Sequence, residues 1–138
     1  MTIEGAWTDE THRYYCIRPL GEWDWPAYRR VVDTAIDTIK ATNKPVALIC
    51  DLTQNFEFHR GDVLGNLRYF NARVPTNMYA CVMVGAGAIM MTFLNIHMKL
   101  RPSAKRRVRF ASSMPEAFTV ADQRLEELRL NAEELKSV

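Results

Sequence analysis

Two kinds of apolar pattern alternate along this chain. At 45–53, PVALICDLT, the apolar residues are consecutive and are closed by Asp51 and Thr53. An unbroken apolar run of strand length predicts a β-strand buried on both faces. The run 78–84 reads the same way. Between such runs, apolar residues recur every three or four positions, which predicts amphipathic helices. Tyr28, Val32, Ala35, Ile36 and Ile39 form the first set, behind an N-cap at Asp24 and a first-turn Pro26. Val63, Leu67, Phe70 and Val74 form the second, opened by Gly61-Asp62 and ended by Pro75-Thr76-Asn77.

A third helix, 89–100, follows the turn Gly85-Ala86-Gly87-Ala88, and a last one starts at Ser113-Met114-Pro115-Glu116. That last helix repeats Phe118, Ala121, Leu125, Leu128, Ala132 and Leu135, and its far end is expected to be exposed. Residues 3–20 read as two strands around a polar turn at 8–11, with Pro19 to Gly21 ending the second. Residues 101–107 read as a basic loop and 108–111 as a short strand. The expected order is ββαβαβαβα: an α/β fold with one small mixed sheet, an N-terminal hairpin, parallel strands and about four helices. Residues 1–138 are expected to form a single domain.

The helix 89–100 is apolar on nearly every side, so it is either deeply buried or covered by a partner. The stripe Ile89, Phe93, Ile96 and Leu100 is expected to face the sheet. Met90, Leu94 and Met98 would then form a second face, for a homodimer or for an apolar ligand.

Composition adds limits. At 48% hydrophobic the chain is not disordered, and no apolar run reaches transmembrane length. The N-terminus lacks the apolar core of a signal peptide. Three cysteines, Cys16, Cys50 and Cys81, sit inside strand-like runs without CxxC spacing. That fits reduced, buried thiols in a cytoplasmic protein and gives no zinc motif.

Net charge is only +2, yet residues 63–115 contain no Asp or Glu. That span holds Arg68, Arg73, Lys99, Arg101, Lys105, Arg106, Arg107 and Arg109. The last six would form a basic surface for an acidic partner, a lipid or another anionic surface, or a solvated face answered by the acidic last helix. Few aromatics interleave them, so no specific nucleic acid is expected.

Several short stretches together resemble the STAS/SpoIIAA-like superfamily, which shades into the STAS/SEC14-type domains of bacteria. They are Leu20-Gly21-Glu22-Trp23-Asp24, Asp51-Leu52-Thr53, the Gly85 turn, and the run from Arg109 through Phe110, Ala111, Ser112, Ser113, Met114, Pro115 and Glu116 to Ala117. The resemblance spans nearly the whole chain and implies a small mixed sheet with helices chiefly on one side. Regulatory members carry a phosphorylatable Ser after an Asp at the start of the helix behind the central strand. Here those two positions fall on His59 and Arg60, with Gly61 next, so the acceptor hydroxyl is missing.

What the resemblance implies is partner binding by the same loop: Asn55, Phe56, Glu57, Phe58, His59, Arg60, Gly61 and Asp62. Asp51, Glu57, His59 and Asp62 could also serve as turn, cap and surface groups or as an acid–base or metal site. Trp23 and Trp25 read as packing at the start of the first helix rather than a ligand platform. His12 is expected to be exposed in the hairpin, and His97 to be an interior or interface histidine. The Gly85 turn could hold an anion on backbone N–H groups, but it lacks a dinucleotide or P-loop pattern.

No catalytic residues, metal ligands or cofactor are expected. The first functional expectation is a non-enzymatic regulatory or scaffold domain acting through protein contacts, itself included. The second is a carrier of an apolar ligand, and the third an enzyme using the region 51–62. An enclosed apolar cavity would favour the carrier, and a flat exposed apolar patch would favour the scaffold.

Overall fold

The structure is a computed structural model that describes residues 2–54 and 61–136. Its elements are β1 (Thr2–Trp7), β2 (Tyr14–Leu20), α1 (Trp25–Thr42), β3 (Val46–Asp51), α2 (Val63–Arg73), β4 (Met78–Val84), α3 (Ala88–Leu100), α4 (Pro102–Arg107), β5 (Val108–Ala111) and α5 (Met114–Lys136). The five strands form one sheet in the order β1-β2-β3-β4-β5. β1 is antiparallel to β2, and every later pairing is parallel. This is the α/β fold with a single mixed sheet that the hydrophobic pattern predicts.

Each parallel connection steps one strand in the same direction. With right-handed crossovers, successive helices then fall on one face of the sheet. The side chains agree: Val32, Ile36 and Ile39 of α1 and Leu94 of α3 pack on Tyr15, Ile17, Leu48 and Cys81. Helix α5 comes after the last strand and takes the opposite face, where Ala117 and Ala121 pack on Ala47, Ile49, Ala80 and Val82. Coverage on both sides explains why all seven residues of β4 are buried.

The ends of the helices follow their sequence signals. Asp24 accepts from Ala27 N at 2.8 Å, and Asn43 closes α1 in the left-handed conformation. Asp62 caps α2 by accepting from Gly65 N at 2.9 Å. Ser113 Oγ accepts from Glu116 N at 3.3 Å, and the Glu116 carboxylate reaches back to Ser112 N at 3.1 Å. Gly85 turns β4 toward α3 with φ +71, and a side chain there would meet Thr53 at 3.0 Å.

β2 ends at Leu20, within the expected Pro19–Gly21 stop; its last rung against β3 is Ile17–Cys50, and beyond that it pairs with β1 alone. Two expectations are corrected. Residues 102–107, read as loop, form the short helix α4. Pro102 occupies its first turn, where no N–H is needed, and Ala104 is its buried residue. Helix α3 is rotated relative to expectation. Ile89, Ile96 and Leu100 are 55%, 40% and 60% exposed, while Leu94 and His97 are buried. A helix apolar almost all round carries no pattern that says which side faces the sheet, and here Met90, Leu94 and His97 do.

Candidate functional site: an apolar cavity between the sheet and its helices

Between the sheet and helices α1–α4 lies an apolar cavity of about 100 Å³. Leu48, Cys50, Cys81 and Met83 of the central strands form its floor. Leu67 and Phe70 of α2 and Met90 and Leu94 of α3 form its roof. Ordinary ligand pockets are about 300–1,000 Å³, whereas an engineered apolar cavity of about 150 Å³ binds benzene. The space therefore suits a molecule of a few non-hydrogen atoms.

One end is aromatic. Trp23 and Trp25 meet edge to face at 4.9 Å, and Trp25 meets Tyr28 in the same way at 5.2 Å. All three line the cavity. The two tryptophans thus pack at the start of α1, as expected from sequence, and also furnish a wall. Burial pushes the Tyr28 phenol up, with the nearby Cys50 and Cys81 adding to it. The Cys81 thiol beside it, together with burial, pushes the Cys50 thiol well up. Both groups are neutral at physiological pH.

The other end is polar. Asn71 of α2, His97 of α3 and Arg107 at the end of α4 line it. Arg107 Nη2 donates to Asn71 Oδ1 at 3.1 Å, and Asn71 Nδ2 donates to Ser103 Oγ at 3.2 Å. His97 is only 4% exposed. Burial lowers its pKa, and the Arg101 and Arg68 charges lower it further, so the imidazole is neutral. Burial also lowers the Arg107 pKa, against a raising influence of Cys81 and with Arg106 adding to the decrease. Among the described lining residues, Arg107 alone carries a fixed charge.

The sequence-derived candidates distribute as follows. Asn55, Phe56, Glu57, Phe58, His59 and Arg60 lie outside the described residues. Gly61 has φ +73 beside Trp25, and Asp62 is the α2 cap. Asp51 is 2% exposed on the α5 side of the sheet. Its Oδ2 accepts from Arg18 Nε at 2.8 Å, and its Oδ1 accepts from Thr53 N at 3.0 Å. Burial opposes ionisation of Asp51, but the Thr53 and Arg18 bonds outweigh it and lower its pKa. Asp51 and Asp62 thus serve in an ion pair, a turn and a cap.

The six basic candidates do not form one surface. Lys99, Arg101, Lys105 and Arg106 are exposed on α3, α4 and the link between them. Arg107 turns into the cavity. Arg109 lies on the α5 side, 3.8 Å from Glu127. Of the proposed second face of α3, Met90 and Leu94 line the cavity and Met98 is half-buried. His12 is exposed and stacks on Trp7 at 4.5 Å. Cys16, Cys50 and Cys81 are free thiols.

Among the described residues, no cluster of three or more His, Cys, Asp or Glu could hold a metal ion. No helix among them is long and apolar enough to cross a membrane. Sequence reasoning missed the polar end of the cavity because Asn71, His97 and Arg107 come from three helices. The signal it offered was a histidine three positions after Leu94 on an apolar helix, with an acid-free basic run behind it.

The chain matches no protein-family model, and no curated protein matches it.

Proposed function

We propose that this protein is a cytoplasmic binding domain that holds a small, mainly apolar molecule between its sheet and helices α1–α4. The observation that carries the reading is the cavity of about 100 Å³ walled by Leu, Met, Phe, Trp and Cys side chains. Burying apolar ligand surface there is worth roughly 25 cal/mol per Å² before association costs. The resemblance to STAS/SEC14-type domains points the same way, and the ββαβαβ element order supports it. Cytoplasmic placement is supported by three free thiols in the fold.

Thermal unfolding in sealed cells with and without benzene tests the reading. Benzene raises the Tm of the wild type and leaves Cys50→Phe, which fills the floor, unshifted. No shift in the wild type at benzene saturation contradicts it.

A second reading keeps the regulatory or scaffold role. It is favoured by the outward stripe of Ile89, Ile96 and Leu100. In that reading the stripe, rather than Leu94, joins two copies of the chain, two-fold symmetry being the commonest arrangement. The flanking Lys99, Arg101, Lys105 and Arg106 would instead favour an anionic lipid surface, with binding that falls steeply with salt. Sedimentation equilibrium separates the two: a wild-type dimer that Leu100→Glu makes monomeric supports self-association. Salt-sensitive binding of a wild-type monomer to phosphatidylserine vesicles supports the lipid surface.

A further inference from the structure

The cavity holds a positive charge with no counter-charge among the described residues. Arg107 has no Asp or Glu within ion-pair distance among the described residues. The reason is written in the sequence. α2, β4, α3, α4 and β5 all lie within residues 63–115, the span that contains no acid. Of the acids on β3 and α1, Asp37 is exposed to solvent and the other two are engaged elsewhere. Asp51 is held by Arg18 on the far face of the sheet, and Asp33 of α1 accepts from the Tyr69 hydroxyl at 2.8 Å.

A guanidinium has five N–H donors. One bond, to Asn71 Oδ1, is all that Arg107 makes among the described residues. Arg107 is half-buried, so its other donors are left to water or to a bound anion, and an anion alone would neutralise the charge. Asn71 is itself fixed through Ser103, so the guanidinium plane is held at the polar end of an otherwise apolar space.

We infer that the molecule bound in this cavity is a small carboxylate with an apolar body, its carboxylate paired with Arg107 and its hydrocarbon against Phe70, Met90 and Leu94. The inference rests on the reading of the cavity as a ligand site and names the ligand class. The planar guanidinium fork takes a carboxylate or a phosphate in bidentate geometry. Charge favours the carboxylate: the described lining offers one fixed positive charge with His97 neutral, which answers a monoanion and leaves a dianion half-neutralised. The volume keeps the apolar body to about the size of benzene or less. Asn71 acts as a positioning residue.

The test is isothermal titration of the full chain, with Trp23 and Trp25 fluorescence as a second readout from the cavity wall. The probes are isovalerate, its neutral amide isovaleramide, isopentyl phosphate and benzene. Isovalerate binds the wild type at least tenfold more tightly than the amide, and more tightly than the phosphate. Arg107→Gln abolishes the acid-over-amide preference while still binding benzene. Equal affinity for acid and amide overturns the inference, as does a preference that survives Arg107→Gln or a tighter phosphate. The acid–amide comparison is made on the wild type and does not depend on a variant folding. Binding of benzene without isovalerate overturns the carboxylate alone, whereas binding of neither overturns the cavity reading as well.

Discussion

Arg107 donates from Nη2 to Asn71 Oδ1 across 3.1 Å, from the end of α4 to the last turn of α2. An amide oxygen accepts the bond but does not neutralise the cation. A half-buried charge without a counter-ion lowers stability relative to an apolar side chain of similar size. Arg107→Met is therefore expected to leave stability unchanged or raise it, by about 0–2 kcal/mol. Urea unfolding of both proteins without ligand checks this. A loss above about 1 kcal/mol would mean that the arginine holds the fold rather than a ligand.

Acid unfolding is expected in two stages. The His97 pKa is lowered from its ordinary 6.5 by burial, then by Arg101 and Arg68. The unfolded chain therefore takes up a proton that the folded chain refuses, and stability falls as pH drops below 6.5. The Asp51 pKa is lowered from 3.8, because the Thr53 and Arg18 bonds outweigh burial. Its contribution is present above 3.8 and is lost as pH falls through the lower folded value. Urea midpoints between pH 8 and pH 3 should show the first loss in the wild type and not in His97→Phe. Asp51→Asn should flatten the second and cost about 1–3 kcal/mol at neutral pH, since Arg18 stays partly solvated.

The orientation of α3 can be tested by pairing an inward with an outward position. Leu94 is 2% exposed, so Leu94→Ala should cost about 2–4 kcal/mol. Ile96→Glu should change monomer stability by less than about 1 kcal/mol. Denaturant unfolding at low protein concentration distinguishes the two. The reverse ranking would restore the stripe containing Ile96 to the sheet face.

Much of the architecture is legible from the sequence, for identifiable reasons. Val46 to Ile49 and Met78 to Val84 are unbroken apolar runs because both faces of β3 and β4 are covered, by α1–α4 and by α5. Asp24, Asn43, Asp62 and Ser113 mark helix ends because each supplies a backbone partner or conformation that the neighbouring residues cannot. α3 is where the pattern fails. Its residues satisfy either orientation by hydrophobicity, and the structure packs Met90 and Leu94 with Cys81 and Met83 and buries His97. α4 is hidden because a run of basic residues reads as solvated chain, although Pro102 and Ala104 suit one helical turn. The cavity is a difference between packed volumes contributed by distant segments, and no local pattern encodes it. Only the missing acids of 63–115 hint that Arg107 has no counter-ion among the described residues.

The most direct measurement is a methyl NMR titration of the methionines with benzene. Met78, Met83 and Met90 line the cavity, whereas Met91, Met98 and Met114 do not. A ligand held between the sheet and α1–α4 shifts the first three methyl signals saturably, through ring currents from the bound benzene, and leaves the other three near their starting positions. Unmoved signals at Met78, Met83 and Met90, or shifts concentrated at Met91, Met98 and Met114, would contradict the assignment of this cavity as the binding site.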